Sequence, residues 1–178
     1  MIRRTVWLSS ILALLFAVSG CTGLPDNVKP VDDFDLSRYL GTWYEVARFD
    51  HSFEEGLSEV TATYSMREDG GVNVINKGFS KEEGKWDEAQ GKAFFVGSAS
   101  TGHLKVSFFG PFYASYVIME LDKDNYQYAL VTGPDRDFLW ILARTPTLPQ
   151  DTLEQLLNSA QQAGYNTDKL IWVEHSSK

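Results

Sequence analysis

Cysteine is almost missing from this chain. Cys21 is the only one in 178 residues, so no disulfide can form within it and the fold must be held by packing. Histidine is nearly as scarce. Of His51, His103 and His175, His51 lies beside Asp50, Glu54 and Glu55 and could suggest a metal site. One imidazole among loop carboxylates does not have the ligand spacing of a zinc site, so this segment reads as a solvated loop. His103 reads as a turn residue and His175 as part of a frayed tail. No metal and no cofactor is expected. No G-x-S-x-G elbow or other nucleophile motif occurs, which argues against hydrolytic catalysis. Basic clusters are missing too: 16 Lys and Arg stand against 24 Asp and Glu, for a net charge of −8, and this excludes a nucleic-acid partner. The apolar run at 6–18 is too short for a permanent membrane span.

That run has its own meaning. Arg3 and Arg4 precede VWLSSILALLFAV, the charged and apolar regions of a secretory signal. It ends in VSGC, which resembles a bacterial lipobox, in which the cysteine is lipidated and becomes the first residue of the mature chain. An unpaired thiol in an oxidising compartment is unusual, and lipidation of Cys21 accounts for it. Residues 22–30 then read as a polar, proline-bearing tether. Thr22 follows the cysteine, and by resemblance to bacterial lipoproteins this implies the outer membrane, with the domain in the periplasm. Losing residues 1–20 removes two arginines and no acids, which leaves a charge of about −10. Such a domain is expected to stand off an anionic membrane on its tether.

What remains is rich in strands. Apolar residues make up 43% and aromatics 13%, enough to build one core with large side chains. Alternating runs bounded by turn residues follow one another: 41–50, 58–66, 72–80, 91–98, 103–110, 113–122, 126–133 and 138–145. Eight short strands with tight turns predict an all-β, antiparallel up-and-down barrel, whose closure leaves no exposed edge. Leu153, Leu156, Leu157 and Ala160 then repeat at helical spacing, with Gly164 at the C-terminal cap, and 170–174 reads as a short ninth strand.

With Gly41, Trp43 and Tyr44 opening the first strand, TGPDRDFLWILART at 132–145, and the late helix and strand, the chain resembles the lipocalins. The wording of the second run is similar to that of the bacterial lipoprotein and apolipoprotein D-like branch. The resemblance covers about Phe34 to Val173. It implies a signal peptide at 1–20, a lipidated N-terminus and tether at 21–33, and a lipocalin domain at 34–178. It also implies that Gly41, Trp43 and Arg144 close one end of the barrel, with the guanidinium across the indole, a favourable contact.

Setting Trp43 and Arg144 inward assigns the parity of their strands. Glu45, Ala47 and Phe49 would then share the interior with Phe138, Trp140 and Leu142. Tyr64, Phe94, Tyr113, Tyr116, Met119 and Tyr128 are further candidates for the lining of a ligand cavity. An inward Glu45 must find a donor, water or a proton, or meet a ligand head group. The mixed charges of Asp135, Arg136 and Asp137 read as a solvated hairpin tip. The expected activity is binding, storage or transport of a hydrophobic or amphipathic small molecule, which the resemblance implies to be a fatty acid or lysophospholipid, in envelope maintenance. The alternatives are an enzyme acting inside the barrel and a barrel filled by its own side chains. A homodimer is left open.

Overall fold

The computed structural model describes residues 22–176, so the signal segment and Cys21 lie outside the described residues. A single turn of helix, α1 (Leu36–Tyr39), leads into strand β1 (Gly41–Phe49). Asp35 caps α1 by accepting the Ser37 amide at 2.9 Å. The chain then bends sharply at Gly41, whose φ is +94°, and there a Cβ would meet the Arg144 guanidinium. Glycine therefore precedes Trp43 by two residues because only glycine takes that backbone turn without strain.

Eight strands complete the count: β2 (Leu57–Met66), β3 (Val72–Ser80), β4 (Lys85–Phe95), β5 (His103–Ser107), β6 (Ala114–Leu121), β7 (Tyr128–Thr132), β8 (Leu139–Ala143) and β9 (Leu170–Trp172). Each of the first seven pairs antiparallel with its successor, and β8 returns to β1. The sheet is thus a closed eight-stranded up-and-down barrel, with β9 added along β1. Helix α2 (Gln150–Gln162) lies outside it and buries Leu156 and Ala160 against the wall. Gly164, with φ +91°, follows the helix end as the sequence predicts.

Two apolar clusters divide the molecule. One fills the barrel from Phe34, Tyr39 and Trp43 through Tyr64, Val74, Ile118, Val131 and Leu142. The other lies between wall and helix, with Val46, Ala47, Phe49, Leu130, Ile141 and Tyr165. They are the two faces of the same strands, as the period of two requires.

Three segments depart from the sequence reading. β4 begins at Lys85, not 91, because its first residues pair with β3 while neither face is covered, so no apolar alternation marks them. α1 is too short to show a helical period. The stretch after residue 22 is not a free tether. Val28 is buried, Val31 exchanges backbone bonds with Ile118 and Gly102, and the Phe34 amide donates to the Ser100 carbonyl.

Candidate functional site

The floor of the barrel is built around Trp43. Its indole N–H donates to the Tyr39 carbonyl at 2.8 Å, and the Tyr39 ring lies 4.6 Å from its own. The Arg144 guanidinium covers the indole at 3.9 Å and donates to the carbonyls of Tyr126, Thr42, Arg38 and Leu40 at 2.8 to 3.2 Å. One side chain thereby satisfies the carbonyls where α1, β1 and the β6–β7 turn converge, groups that have no partner within their own elements.

Above the floor runs a chain of hydroxyls. Tyr116 lies between Tyr39 at 2.8 Å and Tyr64 at 2.9 Å. Burial pushes all three phenols up, so each keeps its proton. Three O–H groups serve two mutual bonds, which leaves one donor of the chain for another acceptor. Trp43, Val131 and Leu142 are fully or almost fully buried, whereas Phe95, Val106, Phe108, Tyr116 and Trp140 on the same inner surface are only partly so.

Near the mouth the interior turns polar. The register of β1 on β8 shifts between Glu45 and Ala47, where Val46 is the extra residue of a bulge. Glu45 therefore faces inward opposite Leu142, and Arg48, three residues later, faces inward opposite Trp140. Arg48 is 1% exposed. Its guanidinium meets Glu45 Oε2 at 3.5 Å and donates to the carbonyls of Glu54 at 2.7 Å and Leu57 at 3.3 Å. Glu54 comes in from the β1–β2 loop and accepts the Trp140 indole N–H at 3.3 Å. Burial, and then the charge of Glu54, hold the Glu45 carboxyl well above the usual range. Burial raises Glu54 as well.

His51 completes the group. Burial first and the Arg48 charge second lower its pKa to about 4, so the ring is neutral. It stacks on Phe53 at 4.1 Å and lies 5.0 Å from Trp140, while Phe138 stacks on Trp140 at 5.9 Å. A series of rings thus descends from the rim into the barrel. The two ring nitrogens of His51 and Arg48 Nε are buried without a hydrogen bond, although His51 Nδ1 lies 3.4 Å from Glu54 Oε2. Buried orphan polar atoms are rare in folded proteins, and three in one place mark this as a site.

A lipocalin-like domain model matches residues 34–175. The chain belongs to the lipocalins. Curated relatives agree. The outer membrane lipoprotein Blc of Vibrio cholerae is 55% identical over 88% of this chain and 92% of its own, and that of Escherichia coli K12 is 53% identical over 89% and 90%. Apolipoprotein D of Mus musculus is 33% identical over 82% of this chain and 79% of its own. Among solved structures, insecticyanin from the tobacco hornworm Manduca sexta superposes with a TM-score of 0.68 at 23% identity, covering 86% of this chain and 87% of that one; this likeness concerns the fold.

The lipocalin barrel brings together some of the residues singled out in the sequence and separates others. Trp43, Glu45, Tyr64, Tyr116, Trp140 and Leu142 face the interior, with Gly41 and Arg144 at its floor. Six candidates point outward, among them Tyr113, whose ring lies outside the wall beneath the Lys105 ammonium. Ala47 is turned by the Val46 bulge to pack beneath α2, together with Phe49. Met119 and Tyr128 also lie under α2, because they alternate with the inward Ile118 and Ala129. Phe94 stands between the inward Ala93 and Phe95, so it projects outside, where its ring meets Tyr113 at 6.4 Å. Phe138 sits at the rim. His51 is enclosed, unlike a solvated loop residue. His175 is held by the Glu45 carbonyl at 2.7 Å, and His103 by Ser115 at 3.1 Å. Arg136, read as a solvated tip, donates to the carbonyls of Ala163 and Asp26. A recess of about 330 Å³ where Asn27 and Lys29 meet Met119 and Gln162 is outside the barrel.

Arg48 and Glu54 are the site residues that sequence reasoning missed. A signal existed: EVARF breaks strict alternation, with Val46 and Ala47 adjacent, as a bulge requires. An inward Glu45 also needs a partner, and Arg48 is the nearest cation along the chain. Glu54 carries no such signal, because a loop carboxylate is ordinarily solvated.

Proposed function

We propose that this lipocalin binds and carries an amphipathic lipid, a fatty acid or a lysophospholipid, in the cell envelope, and that it is held on the outer membrane by acyl chains on Cys21. The acyl tail would enter past Phe53, Phe138 and Trp140 and lie against the partly buried Phe95, Val106, Phe108 and Tyr116. Removing methylenes from water contributes about 0.8 kcal/mol each. The head group would accept hydrogen bonds near Arg48 and His51. The observation that carries this reading is the trio of orphan nitrogens beside an apolar ring series leading inward. The names of the Vibrio and Escherichia relatives support the location. No nucleophile with an adjacent base faces the interior among the described residues, which supports binding over catalysis.

Displacement of a fluorescent fatty acid by lysophospholipid tests the proposal, with product analysis on the same samples. Displacement without product is expected, weakened about tenfold in Trp140→Ala, which removes the largest ring on the path. No dye signal would favour a second reading, a barrel filled by its own side chains. The near-complete burial of Trp43, Tyr64, Val74 and Leu142 is the observation in its favour. Release of product would favour an enzyme.

A further inference from the structure

Five large aromatics stand exposed among the described residues: Phe109 at 80%, Phe112 at 66%, Phe53 at 56%, and Trp86 and Trp172 at 51% each. Trp172 lies on the wall, on β9 opposite Ala47, and the topology puts the other four at one end. Phe53 is in the loop after β1, Trp86 is the second residue of β4, and Phe109 and Phe112 are in the loop from β5 to β6. All three positions lie at the mouth, opposite the floor of Trp43 and Arg144, because the strands alternate in direction.

The N-terminal segment begins at the same end. The Gly23 carbonyl accepts the Ser115 hydroxyl at 2.7 Å, on the second residue of β6 and just past Phe112. The Asp26 carbonyl accepts the Arg136 guanidinium in the β7–β8 turn, again at the mouth. From there the chain descends the outer wall to Val31 and reaches the floor at Phe34. Only Thr22 stands between Gly23 and Cys21, and the two residue steps reach about 7 Å at full extension. Leu24, 41% exposed, adds an apolar side chain to this edge.

Resting on the Cys21 anchor proposed above, we infer that the mouth of the barrel faces the membrane, with Phe109, Phe112, Phe53 and Trp86 seated in the lipid interface. The chain leaves the barrel at its open rim with no free spacer, so acyl chains on Cys21 draw that rim, and not the floor, onto the bilayer. Aromatic side chains are well suited to the boundary between headgroups and acyl chains. A mature charge of about −10, with Glu82 and Glu83 in the β3–β4 turn and Asp135 and Asp137 in the β7–β8 turn, means that charge does not attract the rim to an anionic surface. Contact is apolar and tolerates a zwitterionic bilayer. The barrel then opens directly toward the layer from which a lipid would come.

The test uses the full-length acylated protein in vesicles of zwitterionic phosphatidylcholine carrying brominated acyl chains, with intact mass reporting the anchor. The emission of Trp86, taken as the difference between wild type and Trp86→Phe, should be largely lost to bromine. The emission added by Phe109→Trp should be quenched as well, shift to the blue, and resist aqueous acrylamide. Quenching by acrylamide and not by bromine, with the anchor mass intact, overturns the orientation and leaves the lipoprotein reading standing. Shielding from both quenchers, with a cross-linked pair of chains, overturns it in favour of a second copy covering the rim. A chain without acyl mass removes the anchor reading and the orientation together.

Discussion

Replacing Arg144 by alanine takes away four hydrogen bonds to backbone carbonyls and the cover over Trp43 in one step. A bond from a charged donor contributes about 1.5–3 kcal/mol net, and a guanidinium over an indole about 1–2 kcal/mol. The sum overstates the loss, because Arg144 is partly exposed and the freed carbonyls regain water. A loss of about 3–5 kcal/mol is expected, a large share of the roughly 5–15 kcal/mol that holds a domain together. For a domain of this size it corresponds to a melting point lower by roughly 10 °C. Urea unfolding followed by tryptophan emission reads the change as a shifted midpoint at constant slope. Arg144→Lys should recover less than half, since one ammonium cannot reach four carbonyls at once. Ligand preference should not move, because Arg144 lies beneath the tyrosine chain at the far end from the mouth. A loss under about 1 kcal/mol, or full recovery by lysine, would refute the idea that the fork of donors ties α1, β1 and β8 together.

Two other perturbations address the mouth. Arg48→Met leaves buried carboxyl groups without their cation and should cost about 3–5 kcal/mol in urea unfolding, with part of it returned in Arg48→Met/Glu54→Gln; full additivity of the two changes would show that the groups are not coupled. Glu45 keeps its proton in the fold well above its ordinary 4.5, so the folded state retains a proton that the unfolded chain releases. Its contribution is complete below that value and is lost as pH rises toward the folded pKa. Glu45→Gln should therefore flatten the decline of the urea midpoint as pH rises above about 4.5, and curves that stay parallel would reject a raised Glu45.

The mouth also shows how burial reorganises chemistry that is ordinary in solution. His51, Glu54 and Arg48 would each be solvated on an open strand end. Enclosed together, the histidine becomes neutral and the carboxyls resist ionisation, so the site presents few free charges to a hydrophobic ligand. The loop that supplies Glu54 and His51 is held by backbone carbonyls on Arg48, and its position depends on a strand residue that the bulge turns inward.

Period-two alternation and turn residues were sufficient, in the sequence by itself, to determine the strand count, the closed antiparallel order and the helix, because each follows from local geometry repeated along the chain, whereas the Trp43–Arg144 floor was legible only through the resemblance to the lipocalins. Which side chains look into the barrel was decided only in three dimensions. One extra residue at Val46 exchanges Ala47 for Arg48 on the inner face, and no local propensity marks it strongly. The enclosure of His51 and Glu54, the packing of residues 22–33 on the wall and the gathering of Phe53, Trp86, Phe109 and Phe112 at one rim join positions far apart in the chain. Their free energies come from tertiary burial, which the order of residues alone does not express.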